Sequence, residues 1–461
     1  MQARTLELYR QAGLADAVVE GGFKVAGANV WGRGRRIARL PLGQIGEGWS
    51  PFPFALMFPQ DAHEQLLVDR LRSLGVAVER RTSLARFDAN SQGIRATLVG
   101  PDASEEICDA SFLAGCDGAH STVREQLAIG FPGGTYSGLF YVADVKASGP
   151  AINDEIHVDL DDGEFLGVFP LKGTGRARVI GTARERPDRE LRFDDVRGRA
   201  MEHIRLTIDK VNWFSTYRVH HRVADRFRDG RAFLLGDAGH IHSPVGAQGM
   251  NTGIGDAVNL AWKLAAVLNN GAPERLLDSY ETERIGFARW LVGSTDRVFT
   301  FVTAPGALAA FVRLNVAPHL LPWITRIPLA RRFLFRTVSQ IGISYPESPI
   351  SEGAAGGVRG GDRLPWIEDE SGGDNFEPLT SMNWQAHIYG DANRELTRTC
   401  ADLALPLHPF AWKPKMAASG LMRGALYLVR PDGYVALADA GANPESLRRY
   451  FGERLGYVPH A

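Results

Sequence analysis

The stretch Gly230-Arg-Ala-Phe-Leu-Leu-Gly236-Asp237-Ala-Gly-His240-Ile-His-Ser-Pro244-Val-Gly-Ala-Gln-Gly249-Met250-Asn251-Thr-Gly253-Ile-Gly-Asp-Ala-Val-Asn-Leu-Ala-Trp-Lys-Leu decides how the chain reads. Residues 231–235 are a buried strand that leads to a carboxylate, Asp237, and a loop with Gly239, Gly246, Gly249 and Gly253 follows. A helix then runs from about Asn251 to Leu268, with Ile254, Ala257, Val258, Ala261, Leu264, Ala265 and Leu268 on one face. A carboxylate at a strand end can accept hydrogen bonds from a polyol. Free N–H groups at a helix start attract developing negative charge. An ordinary strand-turn-helix junction has the same spacing, so the pattern alone leaves both readings open.

A second stretch repeats the theme. Leu113-Ala-Gly-Cys-Asp117-Gly118-Ala-His-Ser121-Thr-Val-Arg124 ends a strand on Asp-Gly and starts a helix with a Ser N-cap. Arg124 stands in the first turn, where a guanidinium can fork onto pyrophosphate. Asp-Gly is equally a plain turn.

Outward from these two stretches the text is α/β. A helix opens near Thr5, with Leu6 and Tyr9 at helical spacing. After Pro59-Gln60, Asp61 and Glu64 form a capping-box pattern for a helix that ends near Gly75. Residues 76–80 read as a short strand, 83–88 and 93–99 as a hairpin, and 110–115 as a small-residue strand. From about 136 to 217 strand-like runs dominate, with a turn signal at Asp161-Asp-Gly. Residues 278–340 are mostly helical. A glycine-rich stretch, 353–361, precedes a C-terminal part with the hairpin Ala425-Leu-Tyr-Leu-Val, Pro431-Asp-Gly, Tyr434-Val-Ala-Leu.

Composition excludes several classes. The 461 residues are 44% hydrophobic and 23% charged, an ordinary globular balance. With 52 basic and 53 acidic side chains the formal charge is −1, so no overall basic field exists to hold nucleic acid. Cys108, Cys116 and Cys400 form neither a C-x-x-C pair nor a metal-like cluster, and with no basic or apolar leader after Met1 they point to a cytoplasmic protein. The most apolar runs, 298–312 and 314–325, contain Pro305, Pro318 and Pro322 and are shorter than a transmembrane helix. They read as buried or oligomer-facing helices, which leaves a homodimer open.

With both motifs placed, the chain resembles the class A flavin-dependent aromatic hydroxylases, and among them the phenol and polyketide hydroxylases. Gly236-Asp237 with Pro244, Gln248-Gly-Met-Asn251 and Asn259-Leu-Ala-Trp-Lys263 is similar to their second flavin motif, and Asp117-Gly118 with Arg124 to their Asp-Gly motif. The resemblance implies a Rossmann-like FAD-binding domain over 1–130 and 231–295, a β-sheet substrate domain over 131–230, a helical segment over 296–345 and a thioredoxin-like domain over 355–461. It assigns cofactor contacts to Arg4, Gln60, Asp117, Gly118, Arg124, Gly236, Asp237, Gly249, Met250 and Asn251, and it places Pro244 over the flavin ring at the oxygen-reaction site. It implies FAD, NADPH or NADH, molecular oxygen and a small phenolic or polyketide aromatic, hydroxylated through a flavin hydroperoxide.

The departures are as specific. No G-x-G-x-x-G occurs: Gly32-x-Gly34 fails at Ile37, Gly46-x-Gly48 at Pro51, Gly173-x-Gly175 at Arg178 and Gly253-x-Gly255 at Val258. The expectation is a family member short of its first βαβ unit, with exposed sheet edges and weakened hold on FAD. The alternative is a truncated relative that binds without catalysis. A flavin halogenase is disfavoured because no two of the nine Trp residues form W-x-W. His220, His221, Arg218 and Arg222 read as a solvated basic face, and His240 and His242 as loop residues with no carboxylate nearby and no metal. Trp213, Tyr217, Phe165 and Phe169 read as core of the β-rich part. Cys400 lacks the second cysteine of a redox pair, so the C-terminal part reads as a structural or dimer-contact module.

Overall fold

A computed structural model describes residues 1–458 apart from 44, 161–164, 185, 187–188, 244–247, 304–305, 307–310, 317–318, 321–326 and 371. Its largest element is an eight-stranded sheet. In spatial order the strands are His240–Ile241, Thr207–Val223, Gly133–Ser148, Arg176–Ala183, Leu166–Pro170, Glu155–Asp159, Gly27–Gly32 and Arg35–Pro41. Strand alternation sends Tyr141, Ala143, Val145 and Ala147 to one face, where they pack with Val168, Val179, Phe193, Met201 and Ile204. Neighbours run antiparallel except Gly27–Gly32 beside Glu155–Asp159, a parallel pair that sets Asn29 opposite His157.

That pair corrects a boundary. Residues 27–41 were assigned to the FAD-binding part, yet they complete the sheet of the 131–230 region. Asn29 donates to Glu155 Oε2 at 2.7 Å and Trp31 Nε1 to His157 Nδ1 at 2.9 Å. Two short strands split by the left-handed Arg33 and Gly34 carry no local mark of which sheet they join.

The second layer is a small parallel pair, Leu113–Gly115 beside Ala232–Leu234, with Arg228–Asp229 antiparallel on its outer side. Phe233, Leu234, Leu260 and Tyr280 share a core between this pair and the helices Gly249–Asn269 and Asp278–Thr303. Residues 76–79 are irregular, and Val76 and Val78 are exposed, so the strand expected at 76–80 does not form. A β-prone run needs a neighbour to pair with, and no described strand lies beside it. The hairpin does form, as Ser83–Ala89 with Ile94–Val99, and gains Glu105–Ala110 as a third strand.

The C-terminal sheet has six strands in the order Val358–Arg359, Glu352–Ala355, Val435–Asp439, Leu426–Val429, Gln385–Tyr389 and Leu407–Phe410. Leu428 faces Leu437 across the expected hairpin. The glycine-rich stretch is an edge hairpin of this sheet. At Gly356, with φ of +63°, a Cβ would fall 2.6 Å from the Gly420 carbonyl oxygen, which excludes any other residue. In the helical segment, read as buried or oligomer-facing, Phe311 and Leu320 are exposed on the single chain.

Candidate active site

Because Leu113–Gly115 and Ala232–Leu234 run parallel, the turns at their carboxyl ends, Asp117-Gly118 and Gly236-Asp237, open on one edge. That is where open α/β sheets bind ligands. Arg124 joins the turns: Nη1 donates to Ala238 O at 2.9 Å and Nη2 to Ala119 O at 2.8 Å, with the guanidinium 4.0 Å over the Phe131 ring. Asp117 accepts from Val123 N at 3.1 Å and Ser121 Oγ from Arg124 N at 3.0 Å, so both cap the helix Thr122–Gln126. Arg124 is therefore a brace between two loops. Gly118 takes φ of +81°, as the tight turn requires.

The Gly236-Asp237 turn is held from below. Gly236, at φ +55°, donates its N–H to Asp256 Oδ2 at 3.0 Å. It meets the helix Gly249–Asn269 so closely that a Cβ on Gly253 would lie 3.3 Å from Gly236 Cα. Asp237 is left exposed at the tip. Asp256 also bonds His240 Nε2 at 2.8 Å and accepts from Arg284 Nε at 2.6 Å. Burial alone would raise the Asp256 carboxyl, but Arg284 and His240 outweigh it and hold the group below the usual carboxylate range. Sequence reasoning saw no carboxylate near His240. The partner is sixteen residues on, two helical turns past Gly249.

Residues 240–243 carry unused hydrogen-bonding capacity. His240 Nδ1, His242 Nε2 and Ser243 Oγ are buried without a partner among the described residues. Pro244 lies outside the described residues.

The remaining predicted contacts divide. Asn251 Oδ1 accepts from Gln2 N at 2.9 Å and Thr5 Oγ1 at 2.8 Å, which ties the flavin-motif helix to the helix Ala3–Gln11. Met250 packs beside Leu6 and Leu56. Arg4 sits in a buried network: it donates to Glu7 Oε2 at 3.1 Å and to Asp432 O, and lies 4.8 Å over the Tyr434 ring. Glu7 in turn accepts from Arg363 at 2.6 Å. Gln60 begins the helix Gln60–Ser73 and is exposed, and no hydrogen bond among the described residues joins it to the others. The structure thus gathers Asp117, Gly118, Arg124, Gly236 and Asp237 on one edge with Gly249, Met250 and Asn251 behind. Arg4 belongs to the seam with the C-terminal sheet.

Two strands in from His240–Ile241, an aromatic cluster lines the large sheet. Tyr136 donates to Asp296, and its ring lies 4.7 Å from His221 and 4.2 Å from Phe299. Burial, with Asp296 adding to it, pushes the Tyr136 phenol well above its ordinary value. Tyr217 and Phe165 pack around Phe140 in the same cluster, whereas Trp213, read as core, is exposed. His220 meets Thr135 Oγ1 at 2.8 Å.

Comparison with known proteins places the chain in a family. Residues 1–295 match the family described as FAD binding domain, and the chain belongs to it. The resemblance to the flavin-dependent hydroxylases drawn from the two motifs therefore holds. Over 470 residues the chain is 33% identical to the 6-methylpretetramide 4-monooxygenase of Streptomyces rimosus, covering 94% of this chain and 82% of that one. It is 30% identical to a flavin-dependent monooxygenase of Mycobacteroides abscessus over 95% of this chain and 88% of the relative. The anhydrotetracycline hydroxylase OxyS of Streptomyces rimosus superposes with a TM-score of 0.79 at 27% identity, over 100% of this chain and 91% of that structure.

Proposed function

We propose that this chain is an FAD-dependent monooxygenase that hydroxylates a phenolic or polyketide aromatic, with NADPH or NADH as reductant and molecular oxygen as co-substrate. The observation that carries the reading is the exposed Asp237 carboxylate, presented at a parallel strand end by a turn fixed through Gly236, Asp256 and Gly253. Bound FAD would supply the electron transfer and oxygen chemistry. Asp237 would accept hydrogen bonds from the ribityl hydroxyls. The helix start at Gly249, Met250 and Asn251 would favour negative charge on a flavin ring beside it. The partnerless atoms of His240, His242 and Ser243 fit a polar ligand there, and Pro244 takes the ring-facing role by resemblance. Asp117, Gly118 and Arg124 form the second turn of the same edge, Gln60 is open to contact the ring, and Arg4, by resemblance a cofactor contact, is held by Glu7, Asp432 and Tyr434.

The division proposed is 1–130 and 231–295 for FAD, 131–230 with 27–41 for the substrate sheet, 296–345 as a helical segment and 355–461 as a thioredoxin-like module. In that module Cys400 is buried, in keeping with a structural role. The cluster of Tyr136, Phe140, Tyr217 and Phe299 suits a flat aromatic substrate. Three free cysteines fit a cytoplasmic protein.

Visible absorption after addition of excess FAD tests the reading. A resolved flavin spectrum, and NADPH oxidation stimulated by phenols, are expected. Failure to hold flavin at saturating FAD would overturn it for this polypeptide and leave a binding role without catalysis.

A further inference from the structure

Residues 297–346 contain six arginines and no Asp or Glu, in a chain whose overall charge is only −1. Within that span the helix Pro328–Val338 is fixed to the protein by Phe335, which packs with Ala3 and Ile341. Its other side presents Leu329 and Phe333, one helical turn apart and 76% and 72% exposed. Ile327, just before the helix, is also exposed. Leu329 and Phe333 share a cleft of about 880 Å³ with Trp290, whose ring stacks on Phe287 at 5.8 Å. Arg332 and Arg336 line the same cleft together with Glu347 and the buried Glu283, and no carboxylate among the described residues lies within ion-pair distance of either arginine. Arg336 is held below its ordinary value by burial first and then by the nearby cations Arg332 and Arg363, which outweigh the opposing Asp362 carboxylate.

Large apolar side chains exposed together mark an interaction surface. An apolar stripe flanked by arginines, with a tryptophan at its rim, is the pattern of a helix lying in a lipid interface. No helix among the described residues is long and apolar enough to cross a membrane. We propose that the Pro328–Val338 helix and Trp290 seat the protein on an anionic lipid surface. Leu329 and Phe333 enter the acyl boundary while Arg331, Arg332 and Arg336 meet the headgroup phosphates. A second copy is the weaker occupant: a two-fold contact sets identical patches together, which would place Arg332 and Arg336 near their own counterparts with Glu347 as the one exposed carboxylate lining the cleft.

Co-sedimentation of the full chain with vesicles tests this without flavin or substrate, so its result is independent of the proposed function. Binding to phosphatidylcholine–phosphatidylglycerol vesicles and little binding to phosphatidylcholine alone is expected. Leu329→Ser with Phe333→Ser should abolish sedimentation. The triple change Arg331→Gln, Arg332→Gln, Arg336→Gln should weaken it about a hundredfold, each cation contributing severalfold near an anionic surface. These side chains lie outside the flavin edge, so flavin content and circular dichroism should be unchanged. No sedimentation with anionic vesicles overturns the proposal. So does equal binding to both vesicle types, and so does a lipid-indifferent dimer seen by light scattering, which would assign the patch to a subunit or protein interface.

Discussion

Glu283 accepts both terminal nitrogens of Arg430, at 2.7 and 3.0 Å, and the two side chains are fully buried although they stand 147 positions apart. Lys263 and Asn259 complete the group, bonding Glu283 at 2.9 and 2.6 Å, and Asp432 holds the far side of Arg430 at 2.6 Å. The network locks the helices Gly249–Asn269 and Asp278–Thr303 to the hairpin of the C-terminal sheet. Burial would raise the Glu283 carboxyl, but Arg430 and Lys263 overcome that and hold it well below the usual range.

Glu283→Gln strands the buried Lys263, already drawn down to about 8 by burial, and leaves the buried Arg430 with Asp432 as its remaining carboxylate. Breaking one partner of a buried pair costs about 3–5 kcal/mol. Urea denaturation should show a loss of that order, with Glu283→Asp intermediate. A loss below about 1 kcal/mol would show that the network does not fasten the two parts.

Arg124→Ala removes the brace between the Asp117-Gly118 and Gly236-Asp237 turns. A hydrogen bond to a charged group contributes about 1.5–3 kcal/mol net, and water that reaches the vacated carbonyls offsets part of the loss of two. A stability loss of about 2 kcal/mol is expected, with weaker flavin binding by fluorescence titration. Arg124→Lys should recover less than half, since an ammonium cannot reach both carbonyls in a fork.

Gly253→Ala separates stability from ligand binding. Alanine favours the helix by about 1 kcal/mol, while its Cβ would press on Gly236 Cα from 3.3 Å. The melting temperature should hardly move. Flavin affinity should fall about tenfold as the turn presenting Asp237 shifts, a change of about 1.4 kcal/mol. Unaltered affinity would show that this close crossing does not set the position of Asp237.

His387 supplies a pH dependence. It is fully buried, and burial with the neighbouring His408 draws its pKa from 6.5 down to about 3. A histidine kept neutral in the fold contributes fully above the unfolded pKa and loses that contribution as pH falls from 6.5 toward 3. The integrated loss is on the order of 4 kcal/mol. Thermal melts from pH 7 to pH 4 should show a steep fall that is flatter in His387→Phe.

What the sequence told, and what it hid, can be traced to particular residues. The two strand-turn-helix junctions were legible because Gly236-Asp237 and Asp117-Gly118 mark strand ends with residues that only a tight turn needs. The hairpin at residues 425–437 was legible from Pro431-Asp-Gly and apolar alternation. The partnership of Asp256 with His240 and Arg284 was hidden, because a buried acid on a helix face looks like a solvated one until the other elements arrive. Arg4 was hidden in the same way: its type suggested a ligand contact, while Glu7, Asp432 and Tyr434 claim it from positions up to 430 residues away. The strands of residues 27–41 were misplaced because register across a sheet is set by the partner strand.

The parallel pairing of Gly27–Gly32 with Glu155–Asp159 has a consequence for how the molecule is made. As the chain leaves the ribosome, Asn29 waits until residue 157 has emerged before its neighbour exists. Until then Gly27–Gly32 is paired only with Arg35–Pro41 and its other edge stays open, and closing so long a loop delays the second pairing. Slower synthesis, or a chaperone that shields residues 27–41, should raise the yield of folded protein more than any single surface substitution.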